Sequence, residues 1–130
     1  MKQHILIVDD ERIITKALAR IFQHHGFIVD TAHDGKEALK KVHKNNYDCV
    51  LLDIILPEMN GVDVLEKIKE KKPETHVIMM TAYSNAEALE KARELGSEEA
   101  ILKPFDNIEN VVKMTKALLG TTTYAKSKAP

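Results

Sequence analysis

Five polar side chains stand at the ends of short apolar runs, and their types suit chemistry on an anion. Asp9 and Asp10 follow Ile5-Leu-Ile-Val8, Asp53 follows Val50-Leu-Leu52, Thr81 follows Val77-Ile-Met-Met80, and Lys103 follows Ala100-Ile-Leu102. Taken singly, Asp10 before Glu11 suits a helix N-cap at the positive end of the helix, and Asp9 suits a solvated loop acid. Asp53 is harder to account for in that way, because a carboxylate directly after a buried strand must face at least one of the other two. Two unit charges ~4 Å apart repel by about 4 kcal/mol at an effective dielectric of roughly 20, so a compensating cation is required. Lys103 supplies one positive charge. A set of hard carboxylate oxygens with open positions also suits Mg2+, which keeps several of its waters, with Mn2+ able to substitute. Such a cluster fits phosphoryl transfer: a carboxylate attacks phosphorus in line while metal and lysine neutralise the equatorial oxygens, and Thr81 donates a hydroxyl hydrogen bond to one of them.

The elements that must gather these residues can be read from hydrophobic spacing. The runs at 5–8, 50–52 and 77–80 are too short for helices and read as central strands buried on both faces. Phe27-Ile-Val-Asp-Thr31 alternates, and Ala100-Ile-Leu102 is short and preceded by Glu98 and Glu99, as expected of edge strands. Between the strands, helical spacing appears at Ile14, Leu18, Ile21 and Phe22, at Ala38, Leu39 and Val42, and at Val62, Leu65 and Ile68. It returns at Ala88, Leu89, Ala92 and Leu95, and at Ile108, Val111, Val112, Thr115 and Leu118. Ser84 with Glu87 fits a capping box, and Asp34 with Glu37 or Asp106 with Glu109 imitates one, while Gly26 and Gly96 stop the first and fourth helices. Strict strand–helix alternation with short connections implies right-handed crossovers, hence an α/β fold: a doubly wound, five-stranded parallel sheet in a three-layer flavodoxin-like sandwich. The expected strand order is 2-1-3-4-5, with ligands outside the carboxyl ends of strands one and three, where Asp9, Asp10 and Asp53 fall.

At 130 residues and 44% hydrophobic content, the chain is sized for one domain with a proper core, expected over residues 1–119. Residues 120–130 lose apolar periodicity and read as a flexible tail or the start of a linker. The 19 Lys and Arg nearly cancel the 20 Asp and Glu, leaving no basic field for direct nucleic-acid binding. The lone Cys49 reads as a small buried core residue, and the six histidines show no shared ligand spacing. No run is long enough for a signal peptide or membrane span, so the setting expected is cytoplasmic, with no membrane partner.

Four motifs then resemble the response-regulator receiver family of two-component and phosphorelay systems, its chemotaxis-regulator type included. They are Ile5-Leu-Ile-Val-Asp-Asp-Glu11, Leu51-Leu-Asp-Ile-Ile-Leu-Pro-Glu-Met-Asn-Gly61, Met80-Thr-Ala-Tyr83 and Leu102-Lys-Pro-Phe-Asp106, and the likeness covers residues 3 to about 119. The resemblance implies that Asp53 is the phosphoacceptor, taking its phosphoryl group from a sensor histidine kinase or histidine phosphotransfer protein. It also implies Mg2+ held by Asp10, Asp53 and the Ile55 backbone carbonyl, with Asp9 acting through water, and Lys103 and Thr81 on the phosphoryl group. A cis peptide between Lys103 and Pro104 belongs to the same pattern. The chain would catalyse only its own phosphorylation and dephosphorylation, and would change conformation to control an output domain or protein. It is either a single-domain regulator or the input half of a longer one.

The chain departs from the family pattern at Ala100, where receivers usually carry an aromatic residue or His that moves with the threonine. Tyr83 is a candidate to take part of that switching role. Asn60 replaces the usual Asp before Gly61, with no chemical consequence expected. Bulky Ile55 and Tyr83 flank the acceptor and are expected to slow dephosphorylation. Ile14 and Ala17, beside Pro104 and Phe105, would dock a kinase helical bundle, and the face of the fourth helix, fifth strand and fifth helix would serve dimerisation, as in many receivers. Two other functions compete. A degenerate receiver binding partners without phosphorylation should lack an acid, the threonine or the lysine, and none is lacking. An aspartyl-nucleophile phosphatase commonly has two acids spaced one apart, whereas Asp9 and Asp10 are adjacent.

Overall fold

The computed structural model describes the backbone of residues 2–82, 86–103, 105 and 107–128, and side chains as far as residue 120. Five strands alternate with five helices: β1 (His4–Val8), α1 (Arg12–His24), β2 (Ile28–Ala32), α2 (Gly35–Lys44), β3 (Cys49–Asp53), α3 (Gly61–Lys71), β4 (His76–Thr81), α4 (Ala86–Glu94), β5 (Glu99–Leu102) and α5 (Ile108–Lys128). All neighbouring strands pair in parallel, in the order β2-β1-β3-β4-β5.

The period-two geometry of a strand divides each central run between two cores. Leu6, Val8, Val50, Leu52, Val77 and Met79 face α2, α3 and α4, meeting Ala38, Val42, Leu65, Ile68 and Ala92. Ile5, Ile7, Cys49, Leu51, Ile78 and Met80 face the other way, onto Leu18 and Phe22 of α1 and Val111, Val112 and Leu119 of α5. Each such aliphatic side chain contributes about 1.5–3 kcal/mol by leaving water, which is why the three central strands tolerate almost no polar residue before their last position. The edge strands β2 and β5 are only partly covered.

Local chemistry sets the helix boundaries. The Asp34 side chain caps α2 by accepting from the Glu37 N–H at 2.7 Å, while Glu37 reaches back to the His33 N–H at 2.7 Å. Asn60 caps α3 through the Val62 N–H at 2.7 Å, and Asn107 accepts from the Glu109 N–H at 2.9 Å. Gly26 and Gly96 adopt φ of +90° and +108° after α1 and α4, a region open to glycine at little cost. Two expectations differ. Asp10 is not the cap of α1, since the residue at that position is Glu11 and no side chain caps the helix. The last helix runs on to Lys128 instead of stopping at residue 119. Extending a formed helix costs only a propagation step per residue, so loss of the apolar stripe alone does not end it. Ser84 and Asp106, two of the expected caps, lie outside the described residues.

Candidate functional site

Parallel register brings the strand ends to one edge of the sheet. Val8 is level with Leu52, Asp53 with Met80, and Thr81 with Leu102, so the residues that follow or end these strands converge. Asp9 is held by its N–H to the Ala32 carbonyl (3.1 Å), and the Lys103 N–H to the Thr81 carbonyl (2.7 Å) ties the end of β5 to that of β4. Asp9 and Thr81 are buried, Asp53 is 5% exposed, and Asp10 faces solvent.

Asp9, Asp10 and Asp53 each offer a carboxylate oxygen, and these lie within 4.8 Å of one another. Lys103 answers them: its Nζ lies 2.9 Å from Asp53 Oδ2, 2.5 Å from Asp9 Oδ2 and 3.5 Å from Glu11 Oε1. The other Asp53 oxygen accepts from the Ile55 N–H at 3.2 Å, and Asp9 Oδ1 accepts from the Glu11 N–H at 2.9 Å. Burial pushes the Asp53 carboxyl above the usual range; the Lys103 hydrogen bond and charge pull it back, and the Asp9 charge adds to the rise. Burial would depress the Lys103 ammonium, yet hydrogen bonds and charge from Asp9 and Asp53 more than offset it, leaving its pKa raised. One ammonium against Asp9, Asp10, Glu11 and Asp53 leaves the site electrically short of positive charge.

That deficit is the test of whether a divalent cation suits these residues, and they fit one. The donors are hard carboxylate oxygens, and Asp9 Oδ2, fully buried, has an ion-pair contact to Lys103 without any aligned hydrogen bond.

Of the other residues singled out in the sequence, Ile55 has a side chain 54% exposed beside the acceptor. Ala100 is exposed on β5. In the docking pair on α1, Ala17 is exposed whereas Ile14 packs partly onto the core layer of α1 and α5, as does Phe105. Tyr83 and Pro104 lie outside the described residues, so the switching role of Tyr83 and the Lys103–Pro104 peptide do too. The histidines stand apart from this edge's acids: His4 pairs with Asp30, His25 with Glu109 and His76 with Glu98. Two residues were not foreseen. Glu11 is a further anion on Lys103, signalled only by its place directly after Asp9-Asp10. Gly61 returns the chain beneath the acceptor: a Cβ built there would stand 2.0 Å from the Asp53 carbonyl oxygen, and its N–H donates to the Ile54 carbonyl at 2.7 Å. The same loop sets Glu58 at φ +65°, an uncommon conformation for a non-glycine residue.

Comparison with known proteins decides the family, because the response regulator receiver domain matches residues 5–116. The chain belongs to the response regulator receiver domain family. Among relatives of this receiver is the transcriptional regulatory protein SrrA of Staphylococcus aureus, 40% identical over 122 residues, which cover 94% of this chain and 50% of SrrA. The receiver thus spans about half the length of the curated relatives it matches. Among solved structures, a CheY-like receiver domain protein from Methanospirillum hungatei superposes with a TM-score of 0.92 at 30% identity, covering 96% of this receiver and 99% of that chain. The response regulator DrrB of Thermotoga maritima gives 0.85 at 32% identity, with 94% of this receiver and 54% of that chain covered. The BeF3-activated DrrB receiver domain gives 0.84 at 32%, with 92% and 99% covered.

Proposed function

We propose that this receiver accepts a phosphoryl group on Asp53 and uses the resulting charge to switch an output. One Asp53 carboxylate oxygen attacks the phosphorus of a phosphohistidine in line; the P–N bond breaks, its electrons stay on the imidazole, and Asp53 becomes an acyl phosphate. The observation that carries this reading is Lys103 Nζ at 2.9 Å from Asp53 Oδ2 inside a cluster of carboxylates otherwise short of positive charge. Lys103 offsets the charge that builds on the phosphoryl oxygens, and the Thr81 hydroxyl donates to one of them. Mg2+, or Mn2+ in its place, when bound by Asp10, Asp53, the Ile55 carbonyl and, through water, Asp9, supplies the remaining neutralisation. No separate substrate is turned over: the chain acts on itself.

The donor is a histidine kinase or histidine phosphotransfer protein docking over Ile14, Ala17, Pro104 and Phe105. The output is a further domain or protein, and the name and length of SrrA support an input role in regulating transcription. The full-length match to the M. hungatei receiver supports the single-domain alternative equally. Phosphorylation moves Thr81, with Tyr83 in place of the aromatic missing at Ala100, and the α4–β5–α5 face carries any dimer. The domain makes no direct nucleic-acid contact and works in the cytoplasm; no helix among the described residues is long and apolar enough to cross a membrane.

Incubation with acetyl phosphate and Mg2+, read by intact mass, tests the chemistry. Wild type gains one phosphoryl group, and Asp53→Ala gains none. Equal labelling of both, or of neither, would sink this reading, the second outcome favouring a degenerate receiver that binds without phosphorylation.

A further inference from the structure

The outward face of α1 carries a line of cations that nothing within the chain balances. Its thirteen residues include no Asp or Glu. Arg12, Lys16 and Arg20, spaced four apart, share one exposed face. The helix rise of 1.5 Å per residue puts successive members about 6 Å apart along the axis. Among the described residues none of the three has an ion-pair partner. Elsewhere, by contrast, Lys41 pairs with Glu37, Lys69 with Glu98, Arg93 with Glu90, and Lys103 with the site carboxylates. Arg12 moreover sits in the first turn, where the helix dipole disfavours a cation. The cations repel one another along the helix, so the arrangement costs the free molecule stability and is unexplained by its own packing.

Apolar surface runs beside the stripe. Ile13 is 84% exposed, the most exposed of the large hydrophobic residues. A groove of about 570 Å³ opens between α1 and the start of α5, lined by Lys16, Ala17, Arg20, Ile21, His24 and Ile108. A bare phosphate backbone would use the cations and leave Ile13 and the groove idle. A partner helix with acids on successive turns and one aliphatic side chain uses all three.

We propose that α1 docks an acidic amphipathic helix of a partner protein, with carboxylates spaced to meet Arg12, Lys16 and Arg20 and one aliphatic side chain seated in the α1–α5 groove. This deepens the phosphoacceptor reading and rests on it, since α1 begins two residues after Asp10 and a protein docked there reaches the acid cluster. Electrostatic complementarity of this kind speeds encounter, rejects partners of like charge and weakens with salt.

The test uses the full chain labelled with 15N and three probes: a synthetic helical peptide with Glu on every fourth position around a central Leu, the same peptide with Gln for Glu, and a short DNA duplex. The acidic peptide should shift amides of α1 and Ile108, and lose about tenfold in affinity between low and moderately high salt. The double variant Lys16→Glu with Arg20→Glu, both side chains exposed, should lose at least about tenfold more while its amide spectrum away from α1 stays folded. An acidic peptide that leaves α1 unshifted, a Gln peptide that binds as tightly, or DNA that shifts α1 more strongly would each overturn the inference, the last in favour of a nucleic-acid surface. Acetyl phosphate labelling of wild-type Asp53 runs in parallel. Its failure removes the phosphoacceptor reading while the peptide result stands or falls by itself.

Discussion

Lys103 is the residue on which the electrostatics of the acid cluster turn, since its ammonium is almost buried and touches Asp9, Asp53 and Glu11. Removing one partner of a buried ion pair leaves the other charge uncompensated, at a cost of about 3–5 kcal/mol. Lys103→Met should therefore lower the urea midpoint of the metal-free protein by an amount in that range, and added Mg2+ should restore part of it. Phosphorylation by acetyl phosphate should slow by at least about a hundredfold in the same variant, since a directed cation on the transferring group is lost. Ile55 makes a different claim. Its side chain stands half exposed next to the acceptor, where it obstructs water without offering a base. Phosphorylated wild type should outlast a few seconds in purified form, and Ile55→Asn should shorten its half-life by roughly threefold or more; decay within seconds in the wild type would contradict that role. The acids, Thr81 and Lys103 were legible in the sequence because each closes an apolar run. Glu11 was not, since an exposed acid after two others gives no sign of which cation it will meet.

The loop from β3 into α3 is the element that fixes the acceptor, and it does so through backbone contact. Gly61 lies so close under Asp53 that a methyl group would overlap its carbonyl oxygen. Gly61→Ala should destabilise the fold by about 1–3 kcal/mol through forced backbone displacement, measurable by chemical denaturation, and should also slow labelling of Asp53. Gly26→Ala, where the added Cβ meets nothing within 4 Å, isolates positive-φ strain and should cost only about 1 kcal/mol with labelling unchanged. The strands were readable from run length, and α2 from its Asp34–Glu37 cap. The continuation of α5 to Lys128 was not, because helix propagation needs no apolar stripe and no helix breaker intervenes before Pro130.

Across the whole molecule, the sheet edge stores an electrostatic tension that pH and cations should relieve. The Asp53 pKa is raised on folding, so the native state binds a proton more readily than the unfolded chain does. Stability then increases as pH falls from the folded value towards the unfolded value of about 3.9, and the burial cost is felt in full above that window. Lys103 acts in the opposite sense: its raised pKa stabilises fully below its unfolded value of about 10.4, and that contribution disappears as pH rises through the folded value. The metal-free wild type should thus lose less stability on mild acidification than Asp53→Asn does, by differential scanning calorimetry. At neutral pH, Mg2+ at ten times its Kd should stabilise the wild type by about 1.4 kcal/mol, raising Tm by several degrees, and should raise that of Asp53→Asn much less.

Sequence alone determined the alternation of strands and helices, the parallel sheet and the edge where its acids would meet, because hydrophobic period and run length are local properties of the chain. Tertiary structure decided which atoms meet: that Lys103 answers Asp9 and Glu11 as well as Asp53, that Gly61 packs on the acceptor's own carbonyl, and that Arg12, Lys16 and Arg20 find no acid opposite them. Charge pairing and close backbone approach join residues far apart in the chain, and only the packed register of β1, β3, β4 and β5 sets their distances.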